Sequence, residues 1–240
     1  MRKLSTQEIR YRKVISIIKG LKFDADKIRI VDLGCGSGEF IRRLYEELGS
    51  RFLEVYGIDI SQKALNNLPK YVKPILFDLN NEGLPLPDDH FNLILALEVI
   101  EHLIITDSLI SETYRITKPG GYFICSTPNL ASWINRIRIL MGVTPLFYDC
   151  SQKFILDGLV KKGPHLLPFV RDKKDLGHVR LYTLRGLVNH LKAYGFEVIK
   201  VEGYPITCWF ESKRRLLNLS LIHISEPTRP RLISYAVFCL

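Results

Sequence analysis

The stretch that most constrains this chain is Val31-Asp32-Leu33-Gly34-Cys35-Gly36-Ser37-Gly38-Glu39-Phe40. Residues 28–33 are a short β-branched run of the kind that forms a buried strand. From Ser37 onward, Phe40, Ile41, Leu44, Tyr45 and Leu48 return at helical spacing. A strand therefore runs through three glycines directly into a helix. Glycine reaches positive φ and admits close approach of a ligand, while a helix start presents unpaired N–H groups. Loops of this kind lie under nucleotide-like cofactors. A tight strand-to-helix turn with no ligand would share the pattern.

The remaining sequence extends it. Residues 6–21 form an amphipathic helix, with Ile9, Val14, Ile15, Ile17, Ile18 and Leu21 on one side. Strands are expected at 52–58, 72–77, 91–97, 121–126 and 196–201, and helices at 61–68, 108–117, 131–141 and 183–194. Alternation of this kind argues for βαβ units, and right-handed crossovers put helices on both faces of the sheet. The expected fold is an α/β, Rossmann-like, doubly wound and mostly parallel sheet. Between 142 and 177 periodicity breaks down around Pro145, Gly158, Gly163, Pro164 and Pro168. A stretch that long reads as a lid or acceptor-binding insertion.

Composition excludes several classes. With 47% hydrophobic and 25% charged residues the chain has enough apolar side chains for a core, unlike a disordered one. No apolar run reaches the ~18 residues of a membrane span. The start, Met1-Arg2-Lys3-Leu4-Ser5-Thr6-Gln7-Glu8, lacks an apolar signal core. Cys35, Cys125, Cys150, Cys208 and Cys239 follow no pattern, so reduced thiols and a cytoplasmic location are expected. The formal charge of +9 permits an anionic partner, but no Lys/Arg-rich block or RNA-binding module points to nucleic acid.

Two acids at strand ends join the glycine loop. Asp59 closes the second strand and could accept both hydroxyls of a ribose. Asp78 follows the third, where a carboxylate could meet an exocyclic amine. Either could instead cap the turn that follows it. A nicotinamide dinucleotide site wants G-x-G-x-x-G/A, and here Glu39 stands where that last small residue belongs. The spacing speaks against hydride transfer.

On these residues the sequence resembles the class I S-adenosylmethionine-dependent methyltransferases, in particular the type 11 group, over about 13–201. Asp32-Leu33-Gly34-Cys35-Gly36-Ser37-Gly38 is similar to the family's first motif. Phe91-Asn92-Leu93-Ile94 followed by Glu98-Val99-Ile100-Glu101-His102-Leu103 resembles the segment after its fourth strand. Lys118-Pro119-Gly120-Gly121-Tyr122 and Ser126-Thr127-Pro128-Asn129 resemble the turns into and out of its fifth. The resemblance implies that Asp32, Gly34, Cys35, Gly36 and Gly38 surround the cofactor. Asp59 and Ile60 would then meet its ribose, Asp78 and Leu79 its adenine, and Leu97 its methionine end. Asn92 departs from the Phe-Asp pair frequent in relatives.

Methyl transfer needs orientation and, for a protonated acceptor, a base. Glu98, Glu101 and His102 are the candidates, at a spacing that could place all three on one helical face. Glu-x-x-Glu-His also resembles a divalent-metal motif of ubiquinone-pathway and small-RNA methyltransferases, with His178 as a further ligand. The motif also occurs in relatives with no metal known, where the reading is that Glu98 and His102 only orient the cofactor or cap a helix. His90 and His190 read as structural or exposed, and His165 falls in the lid.

The lid mixes Phe147, Tyr148, Phe154, Ile155, Leu159, Leu166, Leu167 and Phe169 with Lys153, Lys161, Lys162, Arg171, Lys173 and Lys174. That suits a small-molecule, glycan or lipid-linked acceptor, with oxygen the expected atom; a basic rim over a closed site would read alike. The rivals are an RNA or protein methyltransferase and a catalytically silent cofactor-binding scaffold.

Residues 221–240 resemble a tail found on unrelated translated sequences in which sequencing-adapter DNA has been read as coding. The expected organisation is one methyltransferase domain over 1–220 followed by a non-native tail. Without the tail the formal charge falls from +9 by one. The resemblance also implies a last, antiparallel strand beside the fifth, which 232–240 would imitate.

Overall fold

A computed structural model describes residues 5–148, 177–204 and 233–239. Among the described residues, seven strands form one sheet: β1 (Ile28–Leu33), β2 (Phe52–Asp59), β3 (Val72–Leu76), β4 (Phe91–Leu97), β5 (Thr117–Pro128), β6 (Glu197–Tyr204) and β7 (Ile233–Cys239). Their order is β3-β2-β1-β4-β5-β7-β6, and each neighbouring pair is parallel. The helices are α1 (Thr6–Gly20), α2 (Glu39–Leu48), α3 (Gln62–Leu65), α4 (Thr106–Ile116), α5 (Trp133–Leu140) and α6 (Leu184–Ala193).

Alternation along each strand sorts the core into two layers. Val31 and Leu33 of β1, Ala96 of β4 and Phe123 and Cys125 of β5 pack with Leu109, Ile110, Leu187 and Leu191 of α4 and α6. Ile28 and Ile30, Leu93 and Leu95, and Tyr122 and Ile124 face the other way, onto Val14, Ile18, Phe40 and Leu44 of α1 and α2. Strand order reverses between β1 and β4. The carboxyl ends of strands at such a switch leave a crevice in which ligands bind.

The doubly wound sheet stands as expected, and its last strand differs. Ile233–Cys239 does insert beside β5, but it runs parallel to both β5 and β6 instead of antiparallel. An antiparallel neighbour of β6 would need only a hairpin, whereas 28 residues separate β6 from β7, ample for the return crossover that a parallel pair requires. The 61–68 helix shortens to one turn, and β5 extends beyond 121–126 at both ends. The greater part of the lid, including His165, lies outside the described residues. Asn92 serves the sheet, where its side-chain oxygen accepts the Arg29 N–H at 3.0 Å. Cys35 and Cys125 are free thiols.

Candidate functional site

The glycine loop leaves β1 under tight control. Gly34 and Cys35 donate their N–H groups to the Ile58 carbonyl at 2.8 and 2.9 Å, tying the loop to β2. Gly34, Gly36 and Gly38 all have positive φ. They are not equivalent. A Cβ on Gly34 would stand 2.5 Å from Val99 Cγ2, and one on Gly38 2.6 Å from Leu68 Cδ2, whereas one on Gly36 would meet nothing within 4 Å. Gly34 and Gly38 are glycines for packing. Gly36 leaves open space in a cleft lined by Asp32, Gly34, Cys35, Gly36 and Leu97.

Asp59 reaches this loop: one carboxylate oxygen accepts the Gly36 N–H and the other the Ser61 N–H, both at 2.8 Å. The adjoining Ile60 is exposed. Asp78 closes its own turn, accepting the Asn80 backbone N–H at 2.9 Å and the Asn80 side-chain N–H at 3.1 Å through one oxygen. Leu79 turns its side chain into the core. Asp32 is buried; desolvation, with the Asp59 charge adding to it, pushes its carboxyl up to about 8.

Sequence reasoning missed the cleft's other wall. Gln7, Arg10 and Tyr11 of α1 line it, one face of that helix at i, i+3 and i+4. Gln7 donates to Tyr11 Oη at 2.8 Å and to Glu39 of α2 at 3.0 Å. Arg10 pairs with Glu98 at 3.1 Å. The available signal was Gln7 and Arg10, polar residues on the same helical side as Val14, Ile18 and Leu21.

The Glu98, Glu101 and His102 arrangement needs correcting. The three do not share a helical face. Glu98 follows β4 with φ 58, and a 3-10 turn, Ile100–His102, comes next. A positive φ at a non-glycine residue is backbone strain of the sort concentrated at working sites. It is held by the Glu98 N–H, which donates to the Ser126 carbonyl at 2.9 Å, while Ser126 Oγ donates to the Glu98 carboxylate at 2.9 Å. Glu98 thus faces Arg10 and β5.

Glu101 points elsewhere. It is wholly buried, and neither carboxyl oxygen completes a hydrogen bond among the described residues. Burial, reinforced by the Glu98 charge, pushes its carboxyl above the ordinary carboxylate range. Its backbone carbonyl accepts the N–H groups of Val179 and Arg180 at 2.8 and 3.0 Å, which pins the segment carrying His178 against the turn. The His102 and His178 rings lie 4.9 Å apart. Ligand atoms of Glu101, His102 and His178 fall within 4.8 Å of one another. Of the four candidate metal ligands, the structure gathers three and leaves Glu98 out. His178 Nδ1 is 3.0 Å from the Phe147 carbonyl, which can only accept, so Nδ1 carries a proton; in the neutral ring Nε2 is then the atom with the lone pair. His90 faces Glu54 at 3.5 Å, and His190 faces Asp107 at 3.0 Å.

Comparison with known proteins identifies the family and the fold. A sequence profile of the methyltransferase domain family matches residues 6–201. The ubiquinone biosynthesis O-methyltransferase of Alkalilimnicola ehrlichii is 36% identical over 107 residues, covering 42% of this chain and 42% of that protein. The demethylmenaquinone methyltransferase of Geobacillus kaustophilus is 29% identical over 138 residues, covering 51% of this chain and 58% of that protein. The chain thus spans about half the length of these curated relatives. In fold, it is similar to the crystal structure of an S-adenosylmethionine-dependent methyltransferase from Mesorhizobium loti, with a TM-score of 0.50 at 21% identity over 75% of this chain and 79% of that one. The chain belongs to the class I S-adenosylmethionine-dependent methyltransferase domain family.

Proposed function

We propose that this chain transfers the methyl group of S-adenosylmethionine to a hydroxyl oxygen of a small, lipid-linked or quinone-like acceptor. The observation that carries the reading is the juxtaposition at the β4 exit. Leu97, which lines the glycine-loop cleft, is followed at once by Glu98, paired with the cleft-lining Arg10, and then by Glu101 and His102, which gather with His178. The names of the two curated relatives, one an O-methyltransferase of ubiquinone biosynthesis, support the acceptor class.

In this reading the cleft of Asp32, Gly34, Gly36 and Leu97 holds the cofactor with its methyl toward the β4 exit. The acceptor oxygen attacks the methyl carbon; the C–O bond forms as the C–S bond breaks, and the sulfonium becomes a neutral thioether. The acceptor's proton must leave, and the imidazole of His102 or His178 is the base within the group. Glu98, held by Arg10 and Ser126, acts as a positioning residue and a fixed negative charge beside the cationic cofactor.

The same group suits a divalent cation. Two imidazoles and a buried carboxyl with no hydrogen-bond partner among the described residues are a usual nitrogen–oxygen donor set. Glu101, His102 and His178 would hold it, and when bound it would acidify the acceptor hydroxyl. Purified protein titrated with Mn²⁺, Mg²⁺ and Zn²⁺ should bind one ion, and a His102→Ala, His178→Ala double variant should bind at least about tenfold more weakly. Full activity after chelation, with no ion bound, would leave Glu101 and the histidines to acid–base work alone.

Two glycine substitutions separate fold from binding. Gly34→Ala forces a clash with Val99 as well as positive φ and should cost about 2 kcal/mol or more in thermal unfolding. Gly36→Ala meets no atom and should cost only about 1 kcal/mol, yet place its methyl where the cofactor lies and weaken S-adenosylmethionine binding about tenfold or more. Equal loss of stability in the two variants would count against a cofactor seated on Gly36.

The reading as a whole is tested by calorimetry with S-adenosylmethionine, followed by transfer of labelled methyl to a panel of hydroxylated quinones, lipid-linked intermediates and glycans. Transfer to the first two classes is expected. Transfer only to glycans would change the acceptor class, and binding without turnover on any acceptor would leave a cofactor-binding scaffold.

A further inference from the structure

Helix α5 is built inside out. Its polar residues Asn135 and Arg138 are buried, at 1% and 7% exposure. Asn135 accepts the Leu146 N–H at 2.7 Å, and Arg138 donates from Nε to the Thr144 carbonyl at 2.7 Å. Meanwhile Trp133, Ile137, Leu140 and, just past the helix end, Met141 stand outward, with Leu140 86% exposed. At 3.6 residues per turn these four fall within one arc of about 100°. A helix that places polar groups inward and large apolar ones outward forgoes the burial that normally holds a surface helix, so the outward face is built for something else.

The surroundings identify the partner. Arg136 lies beside this arc, exposed, its guanidinium 5.2 Å from the Trp133 ring centroid. From Asn129 to Tyr148 the sequence holds two arginines and no Asp or Glu, and the whole chain carries +9. Aliphatic tips with a tryptophan and an arginine at their margin, free of acids, complement a bilayer: the acyl boundary takes the apolar tips, while headgroup phosphates meet the guanidinium. Beyond the helix, exposed Phe147 lies with its ring centroid 5.6 Å from that of His178, and Ile104, Ile105 and Val179 are exposed as well.

We propose that the outward face of α5 docks the protein on an anionic lipid surface, with Trp133, Ile137, Leu140 and Met141 entering the headgroup–acyl boundary and Arg136 pairing with lipid phosphate. Such docking would set the β4 exit against the membrane, within reach of an acceptor dissolved in it. Binding to the surface requires neither cofactor nor turnover, so it stands or falls separately from the proposed function.

The test uses the full chain and sedimentation with vesicles of phosphatidylglycerol in phosphatidylcholine, against phosphatidylcholine alone. The protein should pellet with the anionic vesicles and be released progressively by salt. An Ile137→Ser, Leu140→Ser double variant should partition about tenfold more weakly or worse, with unchanged melting temperature because both side chains are exposed. Arg136→Gln should remove part of the preference for the anionic lipid. In a Trp209→Phe background, Trp133 emission should shift to the blue on adding vesicles. Failure to pellet, or unaltered binding by the double serine variant, would overturn the proposal. So would a vesicle-free dimer that the serine substitutions convert to monomer, which would assign the face to a second copy of this chain.

Discussion

Replacing Asp59 by alanine is expected to raise the dissociation constant for S-adenosylmethionine about a hundredfold or more. The carboxylate already accepts two backbone N–H groups, Gly36 through one oxygen and Ser61 through the other. A carboxylate offers about four acceptor positions, so each oxygen keeps one for a further donor. Two such positions at the carboxyl end of β2 match the paired hydroxyls of a ribose. Loss of the side chain would remove two charge-assisted hydrogen bonds to ligand, each worth roughly 1.5–3 kcal/mol. It would also untie Gly36 from β2, loosening the glycine on which the proposed cofactor site rests. Asp59→Asn should be nearly as damaging, because an amide nitrogen would turn a donor toward one of the two N–H groups. Asp78→Ala provides the contrast. One Asp78 oxygen is engaged with Asn80 twice over, so a loss of about tenfold or less is expected. Calorimetric titration of folded variants decides it; an unchanged constant for Asp59→Ala would remove this acid from the site.

The contrast between the two acids shows where sequence reading succeeds and where it stops. Both sit at strand ends, and both cap the turn that follows, as aspartates do. Only the fold shows that one of them also reaches back to the glycine loop. The loop itself was legible because a β-branched run, three glycines and a helical period admit few arrangements. Its three glycines were not separable, since what each does depends on Val99 and Leu68, which are far away in sequence. Glu98, Glu101 and His102 carry helical spacing, yet the chain must turn sharply as it leaves β4. A strained residue and a 3-10 turn send the two acids in different directions. The α1 wall of the cleft was hidden for a related reason: its apolar stripe explains the helix fully, and only tertiary packing puts Arg10 beside Glu98. The direction of β7 was equally out of reach, because an apolar, β-prone segment pairs as well in either sense.

The largest effect on the fold itself should come from Asp32, through pH. Its ordinary carboxyl value near 3.8 rises to about 8 in the folded protein, chiefly from burial. Below about pH 4 both folded and unfolded states hold the proton, and Asp32 contributes nothing to pH dependence. Between about 4 and 8 the unfolded chain releases the proton while the folded one keeps it. The unfolded state then binds fewer protons, so stability falls as pH rises, at about 1.4 kcal/mol per pH unit for a fully separated group. Above 8 both are ionised, and the accumulated cost of several kcal/mol remains. Glu101, raised by burial and by the Glu98 charge, acts with the same sign. Asp32→Asn should therefore be more stable than the unaltered protein at pH 8 and roughly halve the downward slope between pH 5 and pH 8 in thermal or urea unfolding. In the proposed site the same group would link pH to cofactor binding. A sulfonium and an ammonium near Asp32 favour its ionised form, so binding near neutral pH should expel a proton, and affinity should strengthen as pH rises from 6 to 8. Calorimetry in buffers of different ionisation enthalpy measures that proton directly. It should vanish in Asp32→Asn, and a proton count unaffected by the substitution would mean that Asp32 is not the group the cofactor ionises.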